Sequence, residues 1–439
     1  MKKIKNIYFI GIGGIGMSGI AEIMKNLGYK VTGSDQQKNS NVLRLKKLGV
    51  KIFIGHNSNN VENASLVVFS SAISKNNPEI KRAIKLNIPV ISRSEMLKEL
   101  MRVKSTITVA GSHGKTTTVS LIAEILDKAK LDPTVINGGI INSYGSNTKL
   151  GKSDLMLVET DESDGSFSLL PSFGGVITSI DNEHIDFYGS KKKLIDSFHS
   201  YIRNISPFGF LAVSEKDRNI QEILKNYKSL NIYKYGFSNN SDIQAKIVKK
   251  NKDGIIFDVE IKSLNKKNSF IRNINFPLIG NHNVENALAA ISVCINFKIN
   301  KSIIKNSLET FHGVKRRLTK IYDNNEIIFF DDYAHHPTEI RETLKALKSK
   351  SGRLISVIQP HRYSRLNENY GNFIKSLRDA DMSIILPIFS AGEIKIRGIN
   401  SLNLTKDINK KKYTKAYYAS SFLKAKNKLN QILKPKDTV

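Results

Sequence analysis

Cysteine is nearly absent: Cys294 is the one thiol in 439 residues. That excludes a disulfide framework, fits a reducing cytoplasm, and in an apolar helical stretch points to a packed core thiol rather than a nucleophile. No run of about twenty apolar residues occurs, so no membrane span is expected. The start, MKKIKNIYFIGIGGIGMSGIAEIM, has the basic-then-apolar order of a signal peptide, but glycines interrupt its apolar part and a phosphate loop explains them better. Acids are short too: 39 against 68 Lys and Arg, a formal charge of +29. The lysines are spread along the chain beside Asn and Ile, as in Lys249-Lys250-Asn251-Lys252, and no aromatic residues are interleaved with them as a stacking platform needs. The excess reads as solvated surface that helps attract small polyanions rather than nucleic acid. Length suggests three domains of roughly 150 residues each, with ample core and no need of staples.

What is present is organised around STITVAGSHGKTTTVSLIAEILDKA, residues 105–129. The β-branched run Thr106–Val109 reads as a buried strand. It feeds Gly111-Ser112-His113-Gly114-Lys115-Thr116-Thr117 and a helix with apolar Val119, Ile122, Leu126 and Ala129. Glycines let backbone N–H groups converge on phosphate oxygens, and a helix N-terminus favours negative charge. Lys115 is placed to reach the β- and γ-phosphates of ATP, and the Thr116 hydroxyl to hold Mg2+. Val109 stands where the general phosphate-loop pattern has a glycine, so this is a shorter relative of it.

A second glycine loop, Gly11-Ile12-Gly13-Gly14-Ile15-Gly16, follows an apolar strand Ile7–Ile10 and opens a helix through Asn26. A strand Lys30–Thr32 then leads to Asp35, the acid that a dinucleotide fingerprint wants about 20 residues on. The motif holds any diphosphate, and a nicotinamide cofactor stays open at this point. Helix 40–48, strand Lys51–Ile54 with His56 behind it, strand Leu66–Phe69 with Ser70 and Ser71, helix 77–86 and strand Pro89–Ile91 complete a βα domain, residues 1–93.

A central domain is expected over 94–312. Strand Asp154–Glu159 runs into Thr160-Asp161-Glu162-Ser163-Asp164-Gly165-Ser166-Phe167, and strand Gly175–Ile180 into Asp181-Asn182-Glu183-His184-Ile185-Asp186. Ligands of open α/β sheets gather beyond the carboxyl ends of strands, so both acidic clusters are expected at the ATP phosphates. Glu159 is the first candidate metal ligand and His184 the second. Residues 240–275 read as an antiparallel appendage. In Gly280-Asn281-His282-Asn283-Val284-Glu285-Asn286, the carboxamides of Asn283 and Asn286 suit either an adenine edge or helix capping.

The third domain, 313–439, opens with Arg316-Arg317, suited to charge developing on a transferred phosphoryl group. Strand Ile327–Phe330 ends in Asp331-Asp332-Tyr333-Ala334-His335-His336-Pro337-Thr338-Glu339, with helix 338–349 behind it. Strand Arg353–Ile358 ends in Gln359-Pro360-His361-Arg362-Tyr363-Ser364-Arg365, and strand Ser383–Leu386 leads to Ser390-Ala391-Gly392-Glu393. Together these describe a ligand-facing rim.

The whole chain resembles the Mur ligases, ATP-dependent amide-forming enzymes of peptidoglycan precursor synthesis. GIGGIGMSGIAE, AGSHGKTTT, ETDESDGSF, GNHNVENALAA, DDYAHHPTE and QPHRYSR carry the resemblance. It implies an α/β fold of three domains: N-terminal Rossmann-like, central P-loop ATPase-type, C-terminal Rossmann-like. The first glycine loop would then hold a UDP-sugar, not a nicotinamide. Gly11, Gly13, Gly14, Gly16, Asp35, His56, Ser70 and Ser71 would bind the UDP, and Asn286 would face adenine. Lys115 and Arg317 would serve the γ-phosphate, and Thr116, Glu159 and His184 the Mg2+. Tyr333, His336, His361, Arg362 and Arg365 would approach the muramoyl carboxylate and the amino acid, with His336 orienting or deprotonating the amine. The implied reaction joins L-alanine to UDP-N-acetylmuramate through an acyl phosphate, with ADP and phosphate as products. The murein tripeptide recycling enzyme and a non-catalytic nucleotide-binding regulator are the alternatives. The family pattern runs on beyond Lys434-Pro435-Lys436-Asp437-Thr438-Val439 into a last strand and a glycine-rich turn, implying a third domain truncated at its end. A cytoplasmic monomer or weak homodimer is expected.

Overall fold

The strand β1 (Asn6–Ile10) is buried at every position, as a strand covered on both faces must be. In the computed structural model, which describes residues 5–439 apart from 71, 103, 252, 263–266, 349–351 and the side chain of residue 186, it is the middle of a parallel sheet. With β2 (Lys30–Asp35), β3 (Lys51–Ile54), β4 (Leu66–Phe69) and β5 (Val90–Ser92) the order is β3-β2-β1-β4-β5. The order reverses between β1 and β4, and the glycine loop leaves β1 at that switch point, where such sheets bind ligands. Strand β2 runs three residues further than the apolar pattern suggests, because Gly33 and Ser34 stay in register with Phe9 and Ile10.

The next sheet is built on β6 (Ser105–Ala110), β7 (Thr134–Ile141), β8 (Ser146–Lys149), β9 (Leu155–Glu159), β10 (Ser172–Ile177), β11 (Ile205–Ser214) and β12 (Asn231–Gly236), in the order β12-β11-β10-β6-β9-β7-β8. All pairs here are parallel except the β7–β8 hairpin. β6 is thus central, and the helix Lys115–Lys128 that follows its loop is buried along most of its length. β10 ends at Ile177 rather than Ile180. Beyond it the backbone turns to hold the phosphate loop: Ser179 O accepts from Ser112 N at 2.9 Å, and Asp181 N donates to Ser112 Oγ at 2.8 Å. Residues 240–275 form β13 (Ile243–Asn251), β14 (Gly254–Ile261) and β15 (Ser269–Phe276). Cys294 is fully buried, as a core thiol.

Two compact units result, one of Met1–Lys246, Asp258–Ile274 and Glu285–His312, the other of Ile247–Phe257, Asn275–Val284 and Gly313–Val439. Within the first, both sheets share one apolar core: Ile7, Phe9, Met17, Ile20 and Leu45 pack with Ile136, Met156, Val158 and Leu170. Arg44 ties the seam, pairing with Glu22 and donating to Ser146 Oγ at 3.0 Å, while Asn147 Nδ2 donates to Ile15 O at 3.0 Å.

In the second unit β16 (Thr319–Asp323) and β17 (Ile328–Asp331) are antiparallel, and β18 (Ile355–Ile358), β19 (Met382–Ile385) and β20 (Lys415–Tyr418) form a parallel sheet in that order. Thr438 and Val439 lie between the two. Phe330 N donates to Val439 O at 2.8 Å and Ile355 N to Thr438 O at 2.8 Å. Among the described residues no helix is long and apolar enough to cross a membrane.

Candidate functional site

The phosphate loop is shaped by close approaches that only glycine allows. Gly111 has φ +124°, and a Cβ there would lie 2.4 Å from Thr178 Oγ1 and 2.8 Å from Ser179 O. Gly114, at φ +80°, is the N-cap of the Lys115 helix, and a Cβ on it would lie 2.4 Å from Asn286 Oδ1. His113 N donates to Ser179 Oγ at 3.1 Å, and His113 Nε2 lies 3.2 Å from Asp181 Oδ2. Asn286 is buried against the loop and accepts from Thr118 Oγ1 at 3.3 Å, one turn into its helix rather than at the cap. Asn283 instead donates to Ile279 O at 2.8 Å, just before the helix.

Lys115 and Thr116 each meet a carboxylate. Lys115 Nζ donates to Glu162 Oε1 and Oε2, both at 2.8 Å, and to Gly111 O at 2.5 Å. Burial alone would pull this ammonium down, but Glu162, Glu159 and Asp161 outweigh it and hold Lys115 well above the ordinary lysine value. Thr116 Oγ1 donates to Glu159 Oε1 at 3.0 Å, and Gly138 N to Glu159 Oε2 at 2.6 Å. His184, in the left-handed region at φ 57°, groups instead with Glu162 and Glu183, their ligating atoms all within 4.8 Å of one another. Carboxylate and hydroxyl oxygens are the donors a hard divalent cation takes, completed by water and phosphate oxygens, so the set fits Mg2+ with the imidazole as its less usual member.

The first glycine loop is held by its neighbours on β2. Gly11 N and Ile12 N donate to Ser34 O at 2.9 and 3.0 Å, and Gly13 N to Asp35 Oδ2 at 2.8 Å. Asp35 Oδ1 accepts from Gln37 N at 3.0 Å, so this carboxylate is engaged with the backbone of the loop and its own turn. Gly14, N-cap of the helix Ile15–Asn26, makes no side-chain cap, and Gly16 lies under Arg93, whose Nη1 is 2.5 Å from where a Cβ would sit. Behind β3, His56 is partly buried, with Nδ1 3.0 Å from both Ser34 Oγ and Glu79 Oε2. Ser70 N donates to Ile10 O at 3.3 Å, at the mouth of the same loop; Ser71 lies outside the described residues.

The rim of the second unit gathers as a row of rings and guanidinium groups. Tyr333 has Arg316 and Arg317 over its face, at 5.1 and 5.5 Å. The His335 ring is 5.0 Å from Tyr333 and 5.4 Å from His361, and His361 is 5.3 Å from Phe389. Arg365 Nη1 donates to His361 Nδ1 at 3.2 Å. Arg362 takes φ 68°, and its Nε is buried with no partner among the described residues. His335 Nδ1 lies 2.8 Å from Tyr333 O, a pure acceptor, so the proton is on Nδ1 and the lone pair on Nε2. Burial, with Arg365 and His361 beside it, pulls His335 down to about 4. Its neighbour His336 does a different job: it is the N-cap of the helix Pro337–Leu347, closing a capping box with Glu339.

Of the residues singled out in the sequence, Lys115, Thr116, Glu159, Asn286 and the glycines thus meet at one loop, and Tyr333, His361 and Arg365 in one row. One partner has no sequence signal: Glu162 reads as one more acid of a polar loop, although it is 2% exposed. His335, part of the histidine–arginine rim read from the sequence, stands in the row. His336 caps the helix behind it, where Pro337 at the first helical position and Glu339 two residues on mark a helix start.

Three family models match in sequence: "Mur ligase family, catalytic domain" over residues 6–105, "Mur ligase middle domain" over 109–294, and "Mur ligase, glutamate ligase domain" over 316–439. The chain is 45% identical over 412 residues to the UDP-N-acetylmuramate–L-alanine ligase of Pelagibacter ubique (strain HTCC1062), covering 93% of this chain and 89% of that one. It is 45% identical over 416 residues to the protein of the same name from Rickettsia bellii (strain OSU 85-389), covering 93% and 87%. Among solved structures it is similar to the UDP-N-acetylmuramate–alanine ligase of Thermotoga maritima, with a TM-score of 0.80, 26% identity and coverage of 99% and 94%. A murein peptide ligase from Psychrobacter arcticus 273-4 shares the fold at a TM-score of 0.72, with 24% identity and coverage of 99% and 94%.

Proposed function

This chain belongs to the Mur ligase family, and from that premise we propose that it joins L-alanine to the carboxylate of UDP-N-acetylmuramate at the expense of ATP. The observation that carries the reading is a pair of glycine loops in one unit, at Gly11–Gly16 and Gly111–Thr116. Each opens a helix whose N-cap glycine, Gly14 or Gly114, makes no side-chain cap. Such helix starts keep N–H groups for anions, and two of them suit two nucleotides, one UDP-linked and one ATP. The near relatives of the same name support this assignment over the recycling enzyme.

In this reading the muramoyl carboxylate attacks the γ-phosphorus, and the bond to ADP breaks. The amine of L-alanine then attacks the acyl phosphate, and the tetrahedral intermediate expels phosphate. No protein nucleophile is required, so the residues act by position and charge. Lys115 would leave Glu162 for the phosphates, Arg317 would meet the γ-phosphoryl group, and Asn286 the adenine. Gly111–Thr117 would cradle the phosphates, and Gly11, Gly13, Gly14, Gly16, Asp35, His56, Ser70 and Ser71 the UDP. Thr116 and Glu159 would hold Mg2+, which neutralises phosphate charge when bound, and His184 would add a metal ligand from its own group with Glu162 and Glu183. Tyr333, His361, Arg362 and Arg365 would take the carboxylate and the amino acid. His336, committed to its helix cap, would support His335, whose Nε2 lone pair suits the ammonium group. We take 1–93, 94–312 and 313–439 as the three working domains of a cytoplasmic monomer or weak homodimer.

The test is phosphate release from ATP and Mg2+ with UDP-N-acetylmuramate and L-alanine added singly and together. Release that needs both, with ADP as coproduct, supports the proposal. Release with the murein tripeptide but not L-alanine would move it to the recycling reaction.

A further inference from the structure

Beside the first glycine loop lies a polar cluster whose centre, Glu79, has no role in the ligase reading. Glu79, on the helix Pro78–Lys85, has no exposed surface, yet its carboxylate is filled with donors. Oε1 accepts from Tyr8 Oη at 2.8 Å, Asn60 Nδ2 at 2.8 Å and Asn57 N at 3.3 Å. Oε2 accepts from Ser34 Oγ at 2.6 Å and faces His56 Nδ1 at 3.0 Å. Burial and the neighbouring carboxylate keep Tyr8 protonated, hence a donor, far above the ordinary phenol range.

Counting protons fixes the imidazole. Ser34 spends its only hydroxyl proton on Glu79, so towards His56 Nδ1, 3.0 Å away, it can only accept. Glu79 Oε2 also only accepts. Nδ1 therefore carries the proton, shared between two acceptors, and a neutral ring keeps its lone pair on Nε2. That atom is buried and has no partner among the described residues, on a side chain 9% exposed. An acceptor buried without a donor carries a desolvation cost that a ligand N–H can recover. His56 stands just past β3, at the same carboxyl edge of the sheet as the Gly11–Gly16 loop and Ser70, and Ser34 links them: its carbonyl holds the loop while its hydroxyl holds Glu79.

We propose that Glu79 is a positioning residue that fixes the tautomer of His56, so that Nε2 accepts the imide N–H of the uracil base and selects uridine over cytidine nucleotides. The inference rests on the reading of the first loop as a UDP site. Uracil presents N–H at position 3, whereas cytosine presents a bare nitrogen there. A lone pair facing a lone pair is rejected, as sites built around one hydrogen bond reject the analogue that lacks it.

Binding of UDP, CDP and N3-methyl-UDP to the wild-type protein tests this by calorimetry, with histidine 15N spectra recorded alongside. Expected are UDP binding at least roughly tenfold tighter than either analogue, an Nδ1-protonated His56 in the free protein, and an Nε2 resonance that moves with UDP but not with CDP. In Glu79→Gln the carboxamide can donate to Nδ1, the tautomer can invert, and the UDP-over-CDP preference should fall by at least tenfold. Melting of that variant is checked first, and if it does not fold the wild-type measurements decide. Equal binding of UDP and CDP with an unmoved Nε2 resonance would overturn the inference and leave the ligase reading standing. No binding of UDP or of UDP-N-acetylmuramate would overturn both.

Discussion

Lys115 gives its ammonium to both oxygens of Glu162, each at 2.8 Å, in a pair where the carboxylate is only 2% exposed. Removing the lysine therefore does two things. Lys115→Met is expected to abolish ADP formation and also to strand a buried carboxylate, at about 3–5 kcal/mol of stability. Lys115→Met with Glu162→Gln should recover most of that stability and none of the activity. Urea denaturation beside a phosphate-release assay checks both. A double variant as unstable as the single one would refute the pairing.

His335 gives a pH signature. Its folded value, pulled down to about 4, lies below the unfolded one near 6.5. Between those values the unfolded chain binds a proton that the folded chain refuses, so stability falls as pH drops from about 6.5 towards about 4. His335→Gln should flatten that slope relative to wild type, read by urea midpoints across the window. The amine-handling role has its own readout: a raised KM for L-alanine with that for ATP unchanged.

Two glycines with positive φ should separate strain from collision. Gly111→Ala adds a contact of 2.4 Å with Thr178 Oγ1 to a φ of +124°, and the loss should exceed about 2 kcal/mol with ATP binding gone. Gly55→Ala, at φ +89° with nothing within 4 Å, should cost only about 1–2 kcal/mol. Equal losses in chemical denaturation would contradict the packing described for the phosphate loop.

Arg353 donates to Asp437 through Nε at 3.0 Å and Nη2 at 2.6 Å, and Asp437 is buried. That pair clamps the segment whose Thr438 and Val439 bond to both β17 and β18. Arg353→Ala is expected to destabilise the second unit by about 3 kcal/mol, seen as a lower urea midpoint, while Asp437→Asn with Arg353→Ala should lose less.

Much of this was legible because local rules agree with the fold. An apolar strand running into glycines and then a helix fixes both phosphate loops without any long-range information, and Val119, Ile122 and Leu126 face the core as their spacing requires. The partners of charged residues were not legible. Glu162 and Asp164 sit two residues apart in one polar loop, yet Glu162 pairs with Lys115 and Asp164 with Arg93. The donors around Glu79 come from Tyr8, Ser34, His56 and Asn60, a set that topology assembles and no spacing announces. The end of β10 moved for a similar reason, since Thr178 and Ser179 serve the loop of another strand.

The core in which Ile7, Phe9 and Met17 pack with Ile136, Met156 and Val158 has a consequence for how the protein melts and how it can be cut. A cut between β5 and β6 would leave two fragments that still hold together, because each supplies half of a shared interior. Hydrogen exchange across residues 6–214 should then report one cooperative opening, and grafting the first sheet from a relative should fail unless the β7–β8 hairpin travels with it.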